Sequence, residues 1–185
     1  YDSAEDRVMS AHELSPAALA EVVDVAQTVL GTVGFGAERA GGSLADAVEE
    51  LFVVERHYSE NALFEGFGVV SMGELVGQPA VKFLIRNTDY SAPELYDRIA
   101  PHIDPELAHL TYSMQEGILE VAAPNVTKRR GVEWLAAHTG VAQQETIAFG
   151  DMPNDIEMLR WAGCGVAMEN AHPEVKAAAD AVTVA

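Results

Sequence analysis

The sequence has 185 residues, 49% hydrophobic and 22% charged, which places it among ordinary globular chains long enough to bury a core, as one domain or as a core with a smaller companion. Its 29 acidic residues oppose 11 basic ones for a formal charge of -18, so long-range repulsion argues against nucleic acid and anionic membrane surfaces as partners. A single cysteine, Cys164, allows no intrachain disulfide, no apolar run reaches the roughly 20 residues of a bilayer span, and the N-terminus is acidic where a signal peptide is basic, so the expected compartment is the cytoplasm.

From the N-terminus, Ser15-Pro16 ahead of Ala17, Leu19, Val22, Val23, Ala26 and Leu30 supplies an N-cap, a proline at the first helical position and an apolar face that ends at Gly31. The stretch from there to about residue 80 mixes strand-like pieces, Val33 to Glu38 and Leu51 to Glu55, with Gly41-Gly42, Gly66, Gly68 and Gly73, and reads as a small sheet. Ala80 to Arg86 reads as a strand, Ala92 to Ile99 as a helix, and Leu110 to Ser113 with Ile118 to Ala122 as a hairpin pair, which together make an α+β region. From Lys128 onward the pattern alternates regularly: helix Arg130 to His138, strand Thr146 to Phe149, helix Asp155 to Ala162, strand Gly165 to Met168, helix Glu174 to Ala179, strand Ala181 to Val184. Short apolar strands separated by helices imply parallel crossovers. The division falls near residues 122 to 128, with no flexible linker. A parallel sheet of about three strands is small and leaves an edge exposed, so an element that completes it is expected outside these residues, and the apolar face of such a sheet suits a homodimer.

The sharpest feature is Ile147-Ala148-Phe149-Gly150-Asp151-Met152-Pro153-Asn154-Asp155, an apolar strand running into a turn with two carboxylates four residues apart. Sites in open α/β sheets form at the carboxyl ends of strands, where Asp151 stands, and Asp155 enters the next helix close enough to face the same point. Two hard oxygen donors suit Mg²⁺, which takes one or two carboxylates and keeps water or phosphate oxygens in its other positions. Asn154 is placed to contact a phosphate oxygen or to orient a carboxylate. Lys128, one helix-strand step earlier, is placed to neutralise a phosphoryl group. The same residues also fit a purely structural role, with Asp151 capping the helix whose first turn contains Pro153 and Lys128 on solvated surface.

Val126-Thr127-Lys128 followed by Gly131-Val132-Glu133-Trp134-Leu135, then Gly150 to Asp155, then Gly165-Val166-Ala167-Met168-Glu169-Asn170-Ala171, resembles the third and fourth motifs of the haloacid dehalogenase-like superfamily, and more narrowly its Cof-type branch of sugar-phosphate phosphatases. The resemblance implies an α/β fold, a partial Rossmann-like parallel core in residues 123–185 preceded by an α+β cap domain in residues 11–122, with residues 1–10 a remnant of the core after the second motif. It implies a phosphatase of small phosphorylated metabolites with Mg²⁺ as cofactor. Asp151 becomes the metal ligand, Asp155 a second metal-site carboxylate acting directly or through water, Asn154 a phosphate contact or ordering residue, Lys128 the charge-balancing catalytic lysine, and Asn170 a neighbour of the phosphate site. Asn170 fits equally well as a loop or capping residue before the helix that Pro173 starts.

The mechanism implied by the resemblance begins with an aspartate attacking phosphorus and a second aspartate two residues later acting as acid and base. No Asp-x-Asp-Gly-Thr-like motif occurs in the sequence, and Tyr1-Asp2-Ser3 resembles the stretch just after the second motif. The expectation is that the nucleophile lies outside this chain and that the chain alone does not turn over. Two alternatives are a phosphomannomutase-like phosphotransferase and a non-catalytic metal- or partner-binding remnant. His12, His57, His102, His109, His138 and His172 lack ligand spacing and read as surface or satisfied core positions. Cys164 reads as a small buried residue, and Trp134 and Trp161 as core packing on their helices.

Overall fold

Ser15 opens the first helix as expected: its hydroxyl accepts a hydrogen bond from Ala18 N, and Pro16 occupies the first helical position of α1 (Pro16–Leu30). The computed structural model describes residues 2, 4–43 and 45–184; Tyr1 and Ser3 of the stretch read as following the second motif lie outside the described residues, as do Leu44 and Ala185. The chain falls into two units, Tyr1–Leu110 with Met114–Pro124, and Thr111–Ser113 with Asn125–Ala185.

In the first unit α1 is followed by β1 (Gly34–Glu38), α2 (Val48–Leu51), β2 (Phe52–Val54), α3 (Arg56–Glu60), β3 (Gly68–Val69), α4 (Met72–Val76), β4 (Lys82–Arg86), α5 (Ala92–Ile99), β5 (His109–Thr111) and β6 (Ile118–Ala122). The strands form one sheet of six in the order β3-β2-β1-β4-β6-β5. The small sheet read into residues 31–80 is part of this larger one, because β1 pairs antiparallel with both β2 and β4 and joins the early strands to the later ones. Register places Phe35, Ala37, Phe83, Ile85, Leu119 and Val121 on one fully buried face, where the Phe35 and Phe83 rings stack with centroids 5.6 Å apart. The other face carries Gly36, Glu38, Phe52, Lys82, Leu84 and Glu120. At Gly34 on this face a Cβ would come within 2.8 Å of Tyr58 Cα, so only glycine lets α3 lie so close to β1. The buried Glu55 carboxylate fixes that packing by accepting from Phe35 N (3.0 Å), Tyr58 N (2.7 Å) and His57 N (2.6 Å).

The second unit contains α6 (Lys128–Thr139), β7 (Ile147–Gly150), α7 (Ile156–Trp161), β8 (Cys164–Ala167), α8 (Pro173–Ala178) and β9 (Ala181–Val182), with a parallel sheet β7-β8-β9. The fold class is α/β. Ala148, Leu159, Ala162, Ala167, Ala171 and Val175 make its core. On the edge strand β7, Ala148 and Gly150 point into that core, whereas Ile147 and Phe149 are 65% and 58% exposed. Trp134 corrects another expectation: it is exposed on α6 and stacks on His138 at 5.0 Å, because Ala136 is the one buried residue of that helix. Among the described residues no helix is long and apolar enough to cross a membrane.

Candidate active site

Two chain segments of the second unit meet where α6 begins and β7 ends. The Thr127 hydroxyl accepts from Arg130 N and caps α6, so Lys128 is its first residue and its side chain leaves the helix at the open end. At the other segment, β7 ends at Gly150, and Pro153–Asp155 form a short 3₁₀ turn that leads into α7. Gly150 is required at that corner. A Cβ there would stand 2.4 Å from Asp155 Cβ and 2.7 Å from its Cγ, in space that the Asp155 side chain fills.

Asp155 is almost wholly buried, and both of its oxygens are engaged. Oδ2 accepts from the backbone N–H groups of Asp151 (3.0 Å) and Met152 (3.1 Å), and Oδ1 accepts from Lys128 Nζ at 2.5 Å. Lys128 Nζ also donates to Asn154 Oδ1 at 3.4 Å. Lys128, Asn154 and Asp155 are therefore brought into direct contact across 27 residues of sequence. The capping role that the sequence left open for Asp151 belongs to Asp155.

Asp151 is held by its backbone. Its carbonyl accepts from His172 N at 3.0 Å, and the preceding Gly150 carbonyl accepts from Met168 N at 2.9 Å, which ties the end of β7 to the loop after β8. Its half-buried carboxylate accepts no hydrogen bond among the described residues. Asn170 lies exposed in the turn after β8 and shares no hydrogen bond with the other four residues among the described residues. The donor set fits magnesium: one accessible carboxylate on a rigid strand end, with an ammonium and an amide beside it, suits an ion that keeps most of its positions for water and phosphate oxygens. No three His, Cys, Asp or Glu side chains converge among the described residues, so the cage of a structural zinc is not formed there.

Two polar atoms near these elements were not legible in the sequence. Arg129 Nε and His172 Nδ1 are buried without a hydrogen-bond partner among the described residues, so the reading of every histidine as surface or satisfied does not hold for His172. Its one signal was position, directly after Asn170-Ala171 and before Pro173.

The family model described as haloacid dehalogenase-like hydrolase matches residues 2–185. The chain is 28% identical over 147 residues to the 5-amino-6-(5-phospho-D-ribitylamino)uracil phosphatase YitU of Bacillus subtilis, an alignment that takes in 76% of this chain and 53% of that protein. It superposes on a solved HAD subclass IIB sugar phosphatase with a TM-score of 0.68 at 23% identity, over 93% of this chain and 62% of that one. A phosphatase of the same superfamily from Bacteroides thetaiotaomicron gives a TM-score of 0.71 at 21% identity, over 95% and 62%. At these identities the two superpositions establish the fold. The chain thus spans about half the length of the curated relative, at 53%, and 62% of each of these structures.

Proposed function

The chain belongs to the haloacid dehalogenase-like hydrolase family, and from that premise we propose that it is the larger part of a cytoplasmic, magnesium-dependent phosphatase of small phosphate esters such as sugar phosphates. In this reading residues 11–122 are the cap domain and residues 123–185 part of the Rossmann-like core. The observation that carries it is the junction at the end of β7, where a buried carboxylate holds a lysine and two backbone amides while its neighbour, Asp151, keeps an accessible carboxylate.

Asp151 is the residue to hold magnesium, which when bound supplies positive charge to the phosphoryl oxygens. Asp155 orders the metal site through its grip on the Asp151 and Met152 amides and, through Oδ1, fixes Lys128 where its ammonium offsets the charge of a phosphoryl group. Asn154, 3.4 Å from Lys128 Nζ, keeps its side-chain NH₂ for a phosphate oxygen, and Asn170 is assigned the flank of the same group. In this reading Asp151 is given to the metal and both oxygens of Asp155 are engaged, so the carboxylate that attacks phosphorus is assigned to residues other than these.

The test is a magnesium titration of the 185-residue chain by calorimetry, with Asp151→Asn beside it, and an assay of p-nitrophenyl phosphate hydrolysis. One magnesium site that disappears in Asp151→Asn, with no release of nitrophenol, is the expected result. Binding unchanged in the variant would refute the metal assignment, and hydrolysis by the chain alone would refute the assignment of the nucleophile to other residues.

A further inference from the structure

Asp151 and His172 are joined through the backbone, where His172 N donates to the Asp151 carbonyl at 3.0 Å. Each also carries a side-chain group that no other residue engages: the half-buried Asp151 carboxylate accepts no hydrogen bond, and His172 Nδ1 is buried without a partner, both among the described residues. We propose that His172 is a positioning residue of the magnesium site, its Nδ1 accepting a hydrogen bond from the hydration shell of the ion that Asp151 holds. The inference rests on the assignment of magnesium to Asp151 and adds to that site a residue that binds neither the ion nor the phosphate directly.

Local structure does not account for the imidazole. His172 stands at the N-cap of α8, a position that favours Ser, Thr, Asp or Asn because a short side-chain oxygen there accepts from the first turn. The ring makes no such bond. The main chain closes the turn instead, with His172 O accepting from Val175 N at 2.9 Å and from Lys176 N at 3.1 Å. Packing does not account for Nδ1 either, since a buried polar atom without a partner has given up its water for nothing, and a carbon in its place would avoid that loss. A nitrogen kept there calls for a partner that the chain's own groups do not supply.

The backbone around the pair is braced. Asp155 Oδ2 holds the Asp151 N–H, His172 N holds the Asp151 carbonyl, Met168 N holds the Gly150 carbonyl at 2.9 Å, and Ala171 N returns to Met168 O at 3.0 Å, so residues 168–172 and the end of β7 form one corner. An imidazole with its hydrogen on Nε2 presents a lone pair at Nδ1, and an ionised carboxylate presents only lone pairs. Two acceptors do not satisfy each other. A hydrated divalent cation satisfies both, by its charge at the carboxylate and by a water hydrogen at the imidazole, and magnesium keeps several of its waters when it binds one or two carboxylates. Groups that meet a bound ion in this indirect way orient it and raise its affinity.

The experiment follows the histidine ring nitrogens of the whole ¹⁵N-labelled chain by NMR as magnesium is added at constant pH, the His172 signals being assigned by their loss in His172→Asn. Magnesium affinity is measured by calorimetry for the unaltered chain, His172→Phe and His172→Asn. The Nδ1 signal should move from that of a free, unprotonated imidazole nitrogen toward that of a hydrogen-bonded acceptor as the ion saturates, while the hydrogen stays on Nε2. His172→Phe keeps a ring without the nitrogen and should bind magnesium at least about tenfold more weakly, the usual effect of losing such an indirect partner. His172→Asn puts an oxygen acceptor back near the Nδ1 position and should recover most of that loss. An Nδ1 signal that stays still while magnesium saturates, or equal affinities in all three proteins, would overturn the proposal and leave magnesium at Asp151 in place. Failure to find a magnesium site that Asp151→Asn removes would overturn the metal assignment itself, and this inference with it. Should His172→Phe fail to fold, the Nδ1 signal of the unaltered chain decides the question alone.

Discussion

Replacing Lys128 with alanine leaves Asp155 without its ammonium, and the two exposures set the size of the effect. The Asp155 side chain is 5% exposed and the Lys128 side chain 47%, so one partner belongs to the interior and the other to the surface. Removing one member of a fully buried pair costs roughly 3–5 kcal/mol, and of an exposed pair about 0.2–1 kcal/mol. Asp155 keeps two backbone N–H donors on Oδ2 after the substitution, which lowers the penalty from the upper range. The expected loss is about 1.5–2.5 kcal/mol, between those limits. Both tryptophans, Trp134 and Trp161, fall in the second unit, so urea unfolding followed by tryptophan fluorescence reports that unit by itself. Lys128→Ala combined with Asp155→Asn should be less destabilised than the sum of the two single variants, because the neutral side chain needs no counter-charge. A loss for Lys128→Ala below about 0.5 kcal/mol, or strict additivity in the double variant, would refute the reasoning.

Gly150→Ala should destabilise the second unit by about 1–3 kcal/mol, the usual cost of overpacking, because its Cβ would stand 2.4 Å from Asp155 Cβ; an unchanged urea midpoint in the tryptophan signal would contradict this. Glu74 is held below its ordinary value of 4.5 first by the Ser71 hydroxyl and then by Ser71 N–H. Its folded pKa is depressed, so its contribution is present above the unfolded pKa and lost as the pH falls through the folded one. Ser71→Ala should raise the Glu74 pKa toward the ordinary value in a carboxyl-carbon NMR titration, and an unmoved titration would remove the hydroxyl as the main cause. The exposed Ile147 and Phe149 on the edge strand β7 should make the chain associate as its concentration rises. Ile147→Lys with Phe149→Lys should hold it monomeric in light scattering, and association unaffected by both would place the contact elsewhere.

Much of the second unit was legible because its information is local. Gly150, Asp151 and Asp155 lie within six residues, the apolar strand before them is uninterrupted, and Lys128 is one helix-strand step away, so periodicity and strand-end position suffice to group them. What spacing does not say is which carboxylate turns inward. That is decided by the absent side chain of Gly150, which opens the space that Asp155 fills and leaves Asp151 to the surface. Trp134 departs from its expected core position for a related reason: helical period favours burying the largest apolar residue, whereas α6 buries Ala136 and leaves Trp134 and Leu135 outside.

The first unit hid more because its contacts are long-range and its elements short. β2 and β3 have three and two residues, too few for an alternating pattern, and Gly66 between them looks like loop while Gly34 and Gly36 serve as the floor beneath Tyr58. The sheet exists because β1 pairs with β4 across more than 40 residues, register that no local window contains. The same separation explains why Glu38, Phe52 and Lys82 attracted no notice as a group. They become neighbours through the pairings Glu38↔Phe52 and Glu38↔Lys82 in one row of the sheet. A row written across three strands in this way carries no motif and becomes readable only once the register is known.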